Sequence, residues 1–158
     1  MTHPTSAIRV RPARRDDVPA IVALLADDTL GASREQATDP PPSVYLDAFD
    51  AMSNQTGNEI LVAELDGRVV GCLQLIAIPG LSRMGATRAQ IDGVRVSSTL
   101  RGRRIGETLV SAAMDRAREL GCRIVQLTTD KSRIDAHRFY ERLGFEATHI
   151  GMKRGLDP

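Results

Sequence analysis

The chain has 158 residues, a formal net charge of +1, 42% apolar and 26% charged side chains, the balance of one folded domain over residues 1–158 and not of a disordered or polyelectrolyte-binding chain. Its longest apolar stretch, Val18 to Ala26, is far short of the roughly 20 residues that cross a membrane, and MTHPTSAIRVRPARR has no apolar signal core, so the cytoplasm is the expected location. Cys72 and Cys122 form no CxxC pair and His3, His137 and His149 are scattered, which argues against a metal site or a redox motif.

Ile8 to Arg11 alternates apolar and polar and meets Pro12, the pattern of a short strand. Asp16 or Asp17 is placed to cap a helix with Pro19 in its first turn, and Val18, Ile21, Val22 and Leu25 give that helix an apolar face. Residues 27–43 form a long polar loop holding Pro40-Pro41-Pro42, of a length that is often functional. A second short helix follows over 44–52. Residues 59–64 and 68–78 read as strands joined by the Asp66-Gly67 turn, and 90–96 as a third, antiparallel because the connections are short.

The rhythm then changes. Residues 107–120 predict a helix with Leu109, Val110, Ala113, Met114, Ala117 and Leu120 on one stripe, stopped by Gly121. CRIVQLTT, 122–129, is an apolar run of the buried-strand type. Strand 90–96, this helix and this strand make a right-handed βαβ unit, so the two strands should be parallel. A helix over 135–143 ends at Gly144, and 145–152 reads as a final strand. The fold class is α/β (α+β): a central mixed, mostly antiparallel sheet with one parallel βαβ unit and helices on both faces.

Chemistry concentrates in residues 91–106, IDGVRVSSTLRGRRIG. A strand runs into a loop with two glycines and three arginines and then into a helix, whose N-terminus offers unpaired N–H groups and partial positive charge to an anion. Gly102 and Gly106 leave room for a ligand beside the backbone, and Arg101, Arg103 and Arg104 add donors. This is the composition of a pyrophosphate cradle. It is equally that of a solvated basic turn. It is neither a GxxxxGK[ST] loop nor a GxGxxG fingerprint.

Arg101-Gly102-Arg103-Arg104-Ile105-Gly106 resembles the [QR]xxGx[GA] motif of the GNAT superfamily of acetyl-CoA-dependent N-acetyltransferases, with Arg104 where the family carries a glycine. Ala136 to Phe145, AHRFYERLGF, resembles the family's later AxxxYexxGF stretch, with Arg133 in place of the usual preceding Asn. The element order matches over essentially the whole chain. The resemblance implies acetyl transfer from acetyl-CoA, a cosubstrate, to a primary amine of a small molecule or peptide in a ternary complex, without metal, membrane or nucleic acid. The alternative within the same fold is a non-catalytic acyl-CoA sensor. No Cys or Ser is placed as a nucleophile, so a covalent acetyl-enzyme is not expected.

The family pattern also implies site residues. Val94, Arg95 and Val96 would run beside the pantetheine arm where two parallel strands splay, with Val94 and Val96 offering backbone groups. Arg101, Gly102, Arg103, Arg104, Ile105, Gly106, Glu107 and Thr108 would hold the pyrophosphate. Tyr140 would protonate the leaving thiolate, its phenol being neutral at pH 7; Ala136, Phe139, Tyr140 and Leu143 also share one helical face, the pattern of plain packing. Asp92 would serve as base, or pair with Arg88 or Arg95. On a regular strand Asp92, Val94 and Val96 point one way, unless Gly93 sits in a bulge. His137 reads as solvated or packed, and both cysteines as small apolar fillers. The acceptor site would be built from loop 27–43, the Tyr45 to Phe49 helix and the turn 80–87. There Asp28, Glu35, Asp47 and Asp50 could receive a cationic amine or simply be solvated. Arg83 and Arg88 could meet a substrate carboxylate or cap a hairpin. Relatives are often dimers, and an uncovered edge strand would favour a homodimer.

Overall fold

Asp66 and Gly67 both have positive φ, 51° and 75°, the backbone sense that matches the twist of a two-residue hairpin. They join β2 (Asn58–Leu65) to β3 (Arg68–Ile78). β1 (Arg9–Pro12) pairs antiparallel with β2, and β4 (Thr87–Val96) antiparallel with β3. β5 (Cys122–Leu127) pairs parallel with β4, completing one sheet in the order β1-β2-β3-β4-β5. The computed structural model describes residues 7–157. His3 and the rest of residues 1–6 lie outside them.

Alternation along the strands sends two apolar sets to opposite faces. Leu61, Ala63, Leu73, Leu75, Ala89 and Ile91 meet Ile105, Leu109, Val110, Ala113 and Ala117 of α3 (Ile105–Glu119) on one face. Val62 and Cys72 meet Ile21 and Leu24 of α1 (Val18–Ala26) on the other. α2 (Ser43–Ser53) lies beside α1, and α4 (Ile134–Arg142) follows β5. Leu24, not Leu25, is the buried leucine of α1. Among the described residues no helix is long and apolar enough to cross a membrane.

Asp17 does not cap α1. A 3-10 turn over Arg15–Asp17 precedes the helix, and the Asp17 carboxylate accepts instead from the Arg14 amide at 2.7 Å and from Arg11 at 2.7 and 3.0 Å. Arg11 also donates to Glu64 at 2.8 Å. One guanidinium thus ties β1 to β2 and to the start of α1, and the fork of a guanidinium suits two carboxylates.

The expected final strand is absent. Residues 145–152 form no strand, and Ile150 and Met152 are 81% and 91% exposed. β5 is therefore the sheet's edge and is half-buried, not the fully buried strand its composition suggested. Alternation measures compatibility with a pleated surface, while a strand also needs a neighbour's backbone. β4 begins three residues earlier than expected because Thr87, Arg88 and Ala89 already pair with β5.

At Gly71 α3 lies tight against the sheet. A Cβ there would stand 2.9 Å from Leu109 Cδ1, 3.1 Å from the Arg95 carbonyl and 3.2 Å from Ile105 Cγ2. Gly71→Ala is expected to cost about 1–3 kcal/mol, read as a lower denaturant midpoint with an unchanged slope.

The Arg11 hydrogen bond, above all, holds the Asp17 carboxyl below the usual carboxylate range. A depressed folded pKa contributes stability that is complete above the unfolded value of about 3.9 and is lost as pH falls through the folded value. Acid unfolding should begin at higher stability in the parent than in Asp17→Asn, and the two curves should converge at the acid end; parallel curves would show that Asp17 takes no part.

Candidate active site

The parallel ladder between β4 and β5 ends at Ile91 opposite Leu127, yet β4 continues to Val96. Past Ile91 that edge of β4 faces no strand among the described residues. The cause lies in β4 itself. Between Gln74 opposite Asp92 and Cys72 opposite Arg95, the register gains one residue, and Gly93 sits there at φ 60°. This is a bulge with glycine in the left-handed region, which adds local twist. The Cys72 thiol lies 3.8 Å from the Gly93 carbonyl.

The bulge breaks the strand's parity. Val94 and Val96 pack into the core shared with Ile91, on the α3 face. Asp92 and Arg95 are left on the α1 face. The regular-strand expectation that Asp92, Val94 and Val96 point together is thereby corrected. Asp92 pairs with neither Arg88 nor Arg95; it accepts from Gln90 Nε2 at 3.1 Å, and Gln90 accepts from Gln126 at 2.8 Å.

Beyond Val96 the chain turns through Ser98–Leu100, where the Ser98 amide donates to Asp27 at 3.0 Å, and enters α3. No side chain caps α3, so its first-turn amides keep their donor capacity. Gly102, at φ 83°, has open space around it. Arg104 has φ 60° and ψ 18°, the left-handed conformation at the helix's N-cap. This is the position where the resembled motif carries glycine, and a Cβ in this backbone conformation costs roughly 1–2 kcal/mol. The Arg104 side chain turns outward, 81% exposed, to Glu107 at 3.1 Å, so it does not fill the loop. Gly106 serves packing: a Cβ on it would stand 3.2 Å from the Phe139 ring and 3.6 Å from Val96. Thr108 leaves the donor set, because its amide and hydroxyl both bond the Arg104 carbonyl, at 3.0 and 2.9 Å. Arg101 and Arg103 are exposed on the same turn.

Phe139 brings α4 against the first turn of α3, and Tyr140 follows it inward. The Tyr140 ring meets Phe139 and Phe145 edge-on, with centroids 5.1 and 5.8 Å apart. Burial raises its phenol pKa, while Arg95 and Arg133 pull it back down. The hydroxyl is protonated at neutral pH. Packing and chemistry are therefore compatible for this residue.

Other candidates resolve differently. Arg95 donates to the Val94 carbonyl at 2.9 Å and reaches toward Asp28 at 3.7 Å. Asp28 receives both nitrogens of Arg133, at 2.6 and 2.9 Å. Asp50 pairs with Arg15 at 3.0 Å, and Glu35 accepts from the Tyr45 hydroxyl at 2.8 Å. Three of the four acids offered as a cation-receiving wall are thus already engaged. His137 Nε2 lies 2.9 Å from the Asp130 carbonyl. Burial pushes the Cys72 thiol up to about 12, which removes its nucleophilicity. The Arg133–Asp28 pair spans 105 positions in sequence, and local spacing carries no signal for it. Among the described residues no group of three or more His, Cys, Asp or Glu could hold a metal ion.

A strand that parts from its parallel neighbour beside an uncapped helix start is the geometry that the first resemblance implied. The model of the acetyltransferase (GNAT) family matches residues 20–145. The chain belongs to this family. A solved structure from Bacillus halodurans, described as a transcriptional regulator, is 45% identical over 95% of this chain and all of its own, with a TM-score of 0.92. The aminoalkylphosphonate N-acetyltransferase of Salmonella typhimurium is 28% identical over 93% of this chain and 90% of its own length. The glucosamine 6-phosphate N-acetyltransferase of Trypanosoma brucei brucei is 29% identical over 75% of this chain and 82% of its own. This GNAT enzyme thus has relatives named as N-acetyltransferases along most of its length.

If the left-handed angle at Arg104 is the family's reason for glycine, Arg104→Gly should stabilise this acetyltransferase by up to about 1 kcal/mol. Thermal unfolding checks this, and an unchanged or lower midpoint would show that the angle carries no cost here.

Proposed function

We propose that this GNAT enzyme transfers the acetyl group of acetyl-CoA to a primary amine of a small molecule by direct attack. The observation that carries the reading is the opening of β4 from β5 beyond Ile91 and Leu127, next to the uncapped start of α3. The residues present fit acetyl-CoA. The free β4 edge at Val94 to Val96 suits the amide groups of the pantetheine arm, as an added strand would. The amides from Arg101 to Glu107 suit the pyrophosphate, and Arg101 and Arg103 add positive charge without blocking the loop.

In the reaction the amine nitrogen bonds to the thioester carbon and the carbon–sulfur bond breaks, its electron pair passing to sulfur. Tyr140 Oη gives its proton to that sulfur. Asp92, on the α1 face and free of any arginine partner among the described residues, takes the proton lost by the amine, directly or through a water. In this reading the bulge supports Asp92 as the base by turning it to the α1 face, apart from Val94 and Val96. No covalent acetyl-enzyme is involved, consistent with the buried, protonated Cys72.

The acceptor is a small molecule, with amines that carry a phosphonate or phosphate as the first class to test. Two relatives are named for such substrates, and the engaged acids around the loop after α1 do not favour a polycation. The free outer edge of β5 supports a homodimer, which light scattering would read as mass.

Unfolding with acetyl-CoA, CoA, ATP or NAD comes first. A ligand at 100 times its dissociation constant stabilises by about 2.7 kcal/mol, so only the two CoA species should raise the midpoint. Thiol release with aminoalkylphosphonates, glucosamine 6-phosphate, polyamines and peptides then ranks acceptors. A steeply salt-dependent affinity for DNA without thiol release would favour instead the regulatory description of the Bacillus halodurans protein. Tyr140→Phe should lower kcat by about 100-fold or more and keep the acetyl-CoA-induced rise in the midpoint. Full turnover in that variant would remove Tyr140 from the proton transfer.

A further inference from the structure

The parted strands continue into separate elements. β4 leads through the Ser98–Leu100 turn into α3, and β5 leads to α4, whose N-cap is Arg133. No strand ladder joins these continuations among the described residues. Two consecutive residues of a third segment do join them. Asp27 is the C-cap of α1, its amide bonded to the Ala23 carbonyl at 3.0 Å. Its carboxylate accepts from the Ser98 amide at 3.0 Å, on the β4 side. Asp28 accepts from both terminal nitrogens of Arg133 at 2.6 and 2.9 Å, on the α4 side, and lies 3.7 Å from Arg95 of β4. Neighbouring Cα atoms stay about 3.8 Å apart, so the two carboxylates cannot move apart with the walls they hold. Asp28 also accepts from the Gly31 amide at 3.1 Å, and a Cβ on Gly31 would run into the Leu25 carbonyl. The loop is therefore shaped by its own contacts as well as by the walls. The Asp28 and Arg133 side chains are 12% and 28% exposed, so salt screens this pair less than a surface pair.

We propose that Asp27 and Asp28 form a clasp across the opening of the sheet, and that with Arg133 they are positioning residues that fix its width for acetyl-CoA. This rests on the opening being the acetyl-CoA site. The clasp has a firm base, because Ile21 and Leu24 of α1 pack against the sheet. Its two carboxylates reach opposite walls. Without it each wall is held by its own packing alone, and acetyl-CoA must order the opening as it binds, which costs affinity. Arg133 gains a task that the asparagine of the resembled motif does not perform. A guanidinium fork meets both oxygens of one carboxylate, whereas a shorter amide has a single donor nitrogen. A pair that only adds stability would leave the affinity of the folded protein unchanged. A clasp that sets the opening must alter it.

Calorimetric titration with acetyl-CoA, well below each variant's unfolding midpoint, reads the affinity of folded protein. Asp28→Asn and Arg133→Gln should each weaken binding by roughly fivefold or more. The double variant should lose no more than the worse single one, because one clasp is broken once. Asp17→Asn, which removes a carboxylate from the Arg11 group, should bind as the parent does. Parent-like affinity in Asp28→Asn, an equal loss in Asp17→Asn, or additive losses in the double variant would overturn the clasp. If Asp28→Asn or Arg133→Gln does not fold, Asp27→Ala carries the test with the same expected loss, since that side chain is exposed. Hydrogen exchange of the Ser98 amide reads the clasp without any ligand. Arg133→Gln, on the opposite wall, should speed that exchange by roughly fivefold or more. An unchanged rate would show that the walls are not joined. A parent protein that binds no CoA species would remove the acetyl-CoA reading, and the Ser98 amide would still decide the clasp.

Discussion

β4 must serve two neighbours with different demands. It pairs antiparallel with β3 along nearly its whole length and parallel with β5 only as far as Ile91. One extra residue at Gly93 reconciles them, because a bulge adds twist and turns the strand away from one partner while keeping the other. The site's geometry hangs on that residue. It frees the β4 edge from Val94 to Val96, reverses which side chains face α1, and sends the chain toward an α3 start that no side chain caps. A straight β4 would keep the ladder to β5 closed and leave no free edge there.

Buried charge in this molecule is compensated across long sequence separations. Arg11 lies between Asp17 and Glu64, and Asp28 between Arg133 and Arg95. All but two of the 21 cationic residues are arginine, Lys131 and Lys153 being the exceptions. A guanidinium can meet two carboxylate oxygens at once and remains charged when desolvated. That suits a fold whose loop after α1, β4 and α4 converge from distant parts of the chain. Removing one member of such a group leaves an unpaired charge, which costs more than the pair contributes.

Glycine has three different reasons in three places near the site. Gly93 is needed for its backbone angle, Gly71 for the approach of α3, and Gly106 for the approach of the Phe139 ring. Gly106 therefore couples the first turn of α3 to the helix that carries Tyr140. Arg104 shows the converse. It occupies a glycine conformation with a long side chain, and the loop stays open because that side chain lies outside it.

Local pattern was enough for most elements. Residues 68–78 were readable as a strand from alternation and a turn dipeptide, the stripe from Leu109 to Ala117 as a helix, and the paired motifs around Arg101–Gly106 and Ala136–Phe145 as a family resemblance. These depend on neighbours within a turn or a pleat, which a sequence displays directly. The failures were all of another kind. The 145–152 segment alternates as a strand does but finds no partner. Asp17 has the chemistry of a helix cap but is claimed by Arg11. Asp28 looked like an acid available to a cation, yet it is held by an arginine 105 residues away. The sequence by itself determined most element types and the family. Only the tertiary structure decided which charges neutralise one another, which face Asp92 occupies and where the sheet opens. Those outcomes follow from desolvation and register, and both are set by contacts between residues that the chain keeps far apart.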